Sequence, residues 1–316
     1  DKVCEALGVD IRGTPGIRLL SPLEPDPSVP RDEEWGGWRV GSVGSFELHR
    51  NIWGVETLWA PGRTYTYTYY KYPLTSLEAL EAFEWPKVAE EDQASVEEAR
   101  RRYEDYWVGT GATQAFETAW KLTGLERFLI GMYRDDPLVT QILDGLFHLA
   151  TEQAILAAEA GVDYLINGDD VGAQRSMIVS PALWRRHLKP RYAAMFREVH
   201  RRGAYILFHS DGWIEPIIPD LIEVGVDILN PIQPECMDPA RLKGLYGDRL
   251  CFDGTIGVQS TLPHGRPEQV AEEVRRRIRT CGPTGLILGP THSMQQDVPV
   301  ANILVMYEAA RNYRLR

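Results

Sequence analysis

From Thr113 onward, short β-branched and aliphatic runs that stop at Gly, Asp, Asn or His alternate with longer stretches in which apolar residues recur at helical spacing. Each run reads as a buried strand and each stretch as a helix laid over it, which is the pattern of a parallel α/β fold. Strands are predicted at residues 163–167, 204–208, 227–230, 250–253 and 285–289. Helices are predicted at 137–160, 181–202, 214–224, 239–246, 267–280 and 300–311, several opened by a proline at the first helical position. No strand is followed by Gly-x-Gly-x-x-Gly, so the succession of strand–helix units favours a (β/α)8 TIM barrel over a dinucleotide-binding sheet.

The texture before Thr113 differs. From about Trp35 to Tyr72 the chain is rich in Trp, Tyr, Thr and Val with partial alternation, as in Thr64-Tyr-Thr-Tyr-Thr-Tyr-Tyr70, which predicts antiparallel strands. Proline-rich residues 21–30 read as an irregular connection, 76–83 as a short helix capped by Ser76, and 90–104 as a solvated helix. Residues 1–112 are therefore taken as an N-terminal extension and β-rich elaboration leading into the barrel, and 113–316 as its main part, the whole forming one domain of ordinary barrel length.

Composition narrows the function classes. With 44% hydrophobic and 25% charged residues the chain can build a large core, and a net charge of −11 disfavours a nucleic-acid footprint, which needs a basic face. No run approaches the roughly 18 apolar residues of a membrane span and no secretory signal pattern opens the chain, so a cytoplasmic protein acting on a small molecule is expected. The chain begins at Asp1, and an upstream segment is allowed for. Cys4, Cys236, Cys251 and Cys281 form no CxxC pair and read as reduced thiols.

In a barrel the residues just past each strand share one mouth, and here they are Asp169 and Asp170, His209 and Asp211, Asn230 and Gln233, Asp253, and His292. His209-Ser-Asp211 with His292 makes an N, O, N set able to hold Zn²⁺ or Fe²⁺ with open positions, or to serve as acid, base and anchor. Asp211 reads first as the cap of the helix beginning near Ile214 and second as a ligand. One of Asp169 and Asp170 is a candidate acid or anchor and the other a turn residue, while Asn230, Gln233 and Asp253 are candidate substrate contacts or turn residues. Glu117 either enters the mouth or favours the positive end of its helix. His49, His148, His187, His200 and His264 are given no role.

Several of these stretches resemble the uroporphyrinogen decarboxylase superfamily: Gly168-Asp-Asp-Val-Gly172 through Ser180-Pro181, Phe208-His-Ser-Asp-Gly212, Ile217-Ile-Pro-Asp-Leu-Ile-Glu-Val-Gly225, Val226-Asp-Ile-Leu-Asn-Pro-Ile-Gln233, and Gly289-Pro-Thr-His292 followed by Asp297-Val-Pro299. The resemblance runs from about Trp35 to the C-terminus and implies a (β/α)8 barrel. Of the decarboxylase signature, the Arg-Gln-Ala-Gly-Arg-Tyr and Phe-Ser-Asp-Ile segments are missing, and a histidine ahead of a proline is kept as His292 and Pro299. The cobamide-dependent methyltransferase branch implies a His-x-Cys and distant Cys zinc site; His209 matches its histidine, and Asp211 and His292 stand in place of the cysteines. That harder donor set suits an oxygen-bearing methyl donor. The expectation is a methyltransferase or O-demethylase component working with a corrinoid on a partner protein, with Asp169, Asp170, His209 and His292 catalytic. The alternatives are uroporphyrinogen decarboxylation without metal, and a non-catalytic corrinoid- or tetrapyrrole-binding subunit; a homodimer is allowed.

Overall fold

The structure, a computed structural model, describes residues 2–23, 37–62 and 67–314. Its strands are β1 (Ile11–Gly13), β2 (Leu19–Leu20), β3 (Gly37–Val43), β4 (Phe46–Asn51), β5 (Glu56–Trp59), β6 (Tyr67–Lys71), β7 (Lys87–Val88), β8 (Trp107–Gly111), β9 (Tyr164–Gly168), β10 (Tyr205–His209), β11 (Ile228–Asn230), β12 (Cys251–Asp253) and β13 (Leu286–Ile287). The helices are α1 (Lys2–Leu7), α2 (Leu77–Glu81), α3 (Asp92–Arg102), α4 (Ala115–Thr123), α5 (Leu125–Arg134), α6 (Pro137–Glu159), α7 (Pro181–His187), α8 (Lys189–His200), α9 (Ile218–Val224), α10 (Pro239–Tyr246), α11 (Thr261–His264), α12 (Pro267–Cys281) and α13 (Val300–Arg311).

Seven strands form one parallel sheet in the order β1-β8-β9-β10-β11-β12-β13. Side chains alternate across it. On the concave side Tyr164, Leu207 and Ile228 are buried and pack with Ile11, Trp107, Cys251 and Ile287, one residue from every strand, so the curled sheet shares a single apolar floor. The Tyr164 ring stacks on Trp107 with centroids 4.4 Å apart and fills the place a side chain would take at Gly109, where a Cβ would lie 2.2 Å from the ring. On the convex side Leu165, Ile206, Phe208, Leu229 and Phe252 join the main core with Phe116, Ile142, Leu146, Tyr192 and Phe196 from α4, α6 and α8. Each such side chain, fully buried, contributes roughly 1.5–3 kcal/mol. Among the described residues no eighth strand joins β13 to β1.

The helix starts follow local chemistry. Ser76 accepts from Ala79 N at 3.2 Å to open α2, Asp136 accepts from Leu138 N at 2.9 Å to open α6, and Ser180 accepts from Leu183 N at 3.3 Å to open α7. The single helix expected over 181–202 is two, broken at Leu188. Pro190 explains the break, because it offers no N–H to the carbonyl four residues back and its ring crowds that carbonyl.

The N-terminal strands β3 to β6 form an antiparallel sheet in sequence order, and β2 pairs with β7. Tyr69 of β6 meets Trp120 of α4 edge to face at 5.4 Å, which seats this sheet against the first helix after β8. Trp35, Thr64 to Thr66 and all but the first three residues of the proline-rich stretch lie outside the described residues. β1 and β8 both precede residue 113, so the parallel sheet begins well before the change in sequence texture. Among the described residues no helix is long and apolar enough to cross a membrane.

Candidate active site

Strand alternation directs His209 inward. Tyr205, Leu207 and His209 share the concave side of β10, while Ile206 and Phe208 face the helices. The register sets His209 opposite Gly168 on β9 and Asn230 on β11. Gly168 has no room for a side chain, since a Cβ there would come within 2.1 Å of the His209 carbonyl oxygen.

A hydrogen-bonded row crosses three strands at this level. His209 Nδ1 donates to Asn230 Oδ1 at 2.7 Å, and Asn230 Nδ2 donates to Asp253 Oδ2 at 2.8 Å. His209 Nε2 then faces two carboxylates, Asp170 Oδ1 at 3.7 Å and Asp211 Oδ1 at 3.9 Å. His292 completes the group, its ring centroid 6.0 Å from that of His209. β10 and β13 stand three strands apart, a separation of roughly 14 Å in a flat sheet, so this approach depends on the curl. Thr291 fixes the segment carrying His292, its N–H donating to Ile256 O at 2.9 Å and its Oγ1 accepting from Val258 N at 3.2 Å.

Asp211 is not the helix cap that was its first reading. The segment after it enters a single 3-10 turn, Glu215–Ile217, with no capping side chain, and α9 follows. Gly212 turns the chain at φ +82°, its N–H donating at 3.0 Å to Gln233 Oε1, and Asp211 N donates at 2.8 Å to Asp170 Oδ1. Held from both sides, the Asp211 carboxyl points at the histidines. Burial first, then the Asp170 charge, raises its pKa above the usual carboxylate range, and His209 and His292 act in the opposite direction.

The two aspartates after β9 separate into two roles. Asp169 is fully buried and accepts from Phe116 N at 2.9 Å, Glu117 N at 2.8 Å and the Tyr192 hydroxyl. It thereby caps α4 from a distance, Gln114 at that helix start making no capping bond. Desolvation pushes its pKa up to about 7 against these hydrogen bonds. Asp170 stands in the mouth. Glu117, in the first turn of α4, also reaches the site: Oε1 accepts from Asp170 N at 3.4 Å and Oε2 from Lys121 Nζ at 2.6 Å.

Gln233 and Asp253 sit behind the site instead of lining it. Gln233 is buried under Gly212, and Asp253, its pKa raised to about 6 chiefly by burial, bonds to Asn230. Asn230 is likewise engaged on both sides. Sequence reasoning missed Tyr192 and Lys121, because their partners lie 23 residues away across the fold or inside an ordinary i, i+4 helix pair.

The donor chemistry fits a divalent metal. Ligand atoms of His209, Asp211 and His292 all lie within 4.8 Å of one another. Tetrahedral zinc with bonds of roughly 2.0–2.2 Å needs donors about 3.4 Å apart, so inward shifts below about 1 Å would close the set. Two imidazoles and a carboxylate beside a second carboxylate also present the charge that a cation balances. None of the described cysteines belongs to the group, and Cys236 donates to Gln174 Oε1 at 3.0 Å. A cavity of about 410 Å³ opens one strand away, walled by Leu19, Trp53, Thr113, Gln153, Ile166 and Gly168. A larger surface cleft between α12 and α13 shares no residue with the site.

Against known families, the uroporphyrinogen decarboxylase (URO-D) model matches residues 62–313. Among solved structures, a methyltransferase from Methanosarcina mazei is similar with a TM-score of 0.60 at 20% identity, over 78% of this chain and 72% of that chain. A B12-independent methionine synthase from Shewanella sp. W3-18-1 in complex with selenomethionine gives 0.44 at 13% identity, over 69% and 65%. The first likeness is one of fold, and the second carries no argument. No curated protein matches the sequence.

Proposed function

The chain belongs to the uroporphyrinogen decarboxylase family, and within it we propose a methyl-transfer enzyme that uses a metal held by His209, Asp211 and His292 to act on a small oxygen-bearing methyl donor. We read its curled sheet as the greater part of a (β/α)8 barrel whose mouth is the reaction site. The observation that carries the proposal is the convergence of two imidazoles and a carboxylate within 4.8 Å at the ends of parallel strands.

Zinc or a similar ion would supply Lewis acidity there, stabilising charge on the substrate oxygen as it departs. Asp170, 3.7 Å from His209 Nε2, is the group placed to hold a proton for that oxygen. The C–O bond would break with its electron pair staying on oxygen, and a reduced Co(I) corrinoid on a partner protein would supply the electron pair that takes up the methyl group. Leu19, Trp53 and Ile166 give the neighbouring cavity an apolar wall for the remainder of the substrate.

Decarboxylation of a tetrapyrrole is the second reading, favoured by the family match alone. Asp170 and Asp211 lie 3.7 and 3.9 Å from His209 Nε2, with Glu117 Oε1 at the Asp170 N–H, a gathering of carboxylates that attracts a cation and repels a polycarboxylate. Elemental analysis of the purified protein and of His209→Ala tests the choice, together with transfer from methanol or a methoxybenzoate to reduced cobalamin. About one equivalent of metal and methyl transfer, both lost in the variant, support the proposal. Coproporphyrinogen formation without metal would replace it with decarboxylation, and tight tetrapyrrole or corrinoid binding without turnover would make the protein a binding subunit.

A further inference from the structure

We infer that Asp253 and Asn230 are positioning residues that lock His209 in its Nδ1-protonated tautomer and leave the Nε2 lone pair facing the mouth. An ionised carboxylate only accepts, so Asp253 Oδ2, 2.8 Å from Asn230, must face the amide NH₂. That orients the amide, and its carbonyl oxygen is the atom left 2.7 Å from His209 Nδ1. A carbonyl cannot donate, so Nδ1 carries the hydrogen, and of the two neutral tautomers this is the one that leaves the lone pair on Nε2. Nε2 is the nitrogen on the side of Asp170 and Asp211.

The frame around the amide is tight. Gly254, at φ +67°, passes so close that a Cβ would lie 3.0 Å from Asn230 Nδ2. The register explains why three strands are enough, since Phe208–Leu229 and Leu229–Phe252 pairing stacks residues 209, 230 and 253 side by side on the concave face.

The metal part of this inference rests on the function proposed above; the tautomer does not. The test is long-range proton–nitrogen NMR of the imidazoles in metal-free protein at pH 8, with His209 identified by its loss in His209→Gln. Wild type is expected to show a protonated Nδ1 and an unprotonated Nε2. Asp253→Asn keeps the volume but replaces an acceptor with a group that also donates, so the Asn230 amide can turn over and His209 becomes a mixture of both tautomers. Zinc affinity, read by competition with a chromophoric chelator, falls 10- to 100-fold in this variant, the usual scale for losing the partner of a metal-binding histidine. An Nε2-protonated wild type, or an Asp253→Asn protein with one unchanged tautomer, overturns the inference even if zinc binds. The expected tautomers without zinc binding leave the relay standing and remove the metal reading.

Discussion

Asp169→Asn separates the cost of burying a carboxylate from the value of its hydrogen bonds. Asp169 has an ordinary pKa of 3.8 and one of about 7 in the fold, raised mainly by desolvation. A carboxyl whose folded pKa is raised binds its proton more tightly in the native state, so its contribution to stability is complete below pH 4 and is lost as pH rises through 7. Between pH 5 and pH 8 those two values give a loss of about 2.5 kcal/mol from this group alone. Asparagine cannot titrate, so the variant lacks this slope. It carries a fixed penalty instead, because its NH₂ must face the N–H of Glu117 or Phe116, costing about 1–3 kcal/mol for a buried donor left unpaired. Urea unfolding of both proteins at pH 5 and pH 8, followed by tryptophan fluorescence, reads the difference. The variant is less stable at pH 5, and the gap narrows or reverses by pH 8. Parallel pH dependence in the two proteins would show that Asp169 is already ionised at pH 5 and that its three hydrogen bonds outweigh desolvation.

Two further outcomes follow from the site geometry. Gly168→Ala drives a methyl group into the backbone of His209; a loss of about 1–3 kcal/mol in urea unfolding is expected, with zinc binding abolished, and an unchanged variant would mean the two strands separate freely. Gln233→Leu removes the acceptor for Gly212 N and is expected to cost about 1–3 kcal/mol while lowering zinc affinity through Asp211; unaltered affinity by chelator competition would show that Gly212 does not set the Asp211 carboxyl.

How much of this was legible in sequence depended on how local each signal was. β10 and its terminal His209 were plain, because Ile206, Leu207 and Phe208 form an apolar run buried on both faces. β1 was not, since Ile11-Arg-Gly13 is three residues long and its Arg12 is buried against Tyr106, with the guanidinium 3.8 Å from the ring centroid. Asp211 had the spacing of a helix cap, yet the Trp213 N–H that such a cap would take donates to Ala173 O at 2.8 Å, a partner from the segment after β9. Asp169 caps a helix that begins more than fifty residues before it, a contact with no sequence period. The two alternatives for Glu117 are not exclusive in space, since it stands in the first turn of α4 and its Oε1 also accepts from Asp170 N, a contact between residues 53 positions apart. Alternation thus reveals the strand ends, while the roles of residues there depend on register and curl.

The stacked Trp107 and Tyr164 rings, with the five aliphatic and cysteine side chains around them, form a floor across the concave face of the curled sheet. On the proposed reading of that sheet as most of a barrel, the floor leaves the mouth as the way in, which would constrain the order of events in time. If a macromolecular methyl acceptor covers that opening, the small donor has to be aboard before the acceptor arrives, and the demethylated product stays confined until the acceptor departs. Turnover would then follow a compulsory sequence, with acceptor dissociation as the step that releases product, and an excess of acceptor would inhibit instead of accelerate.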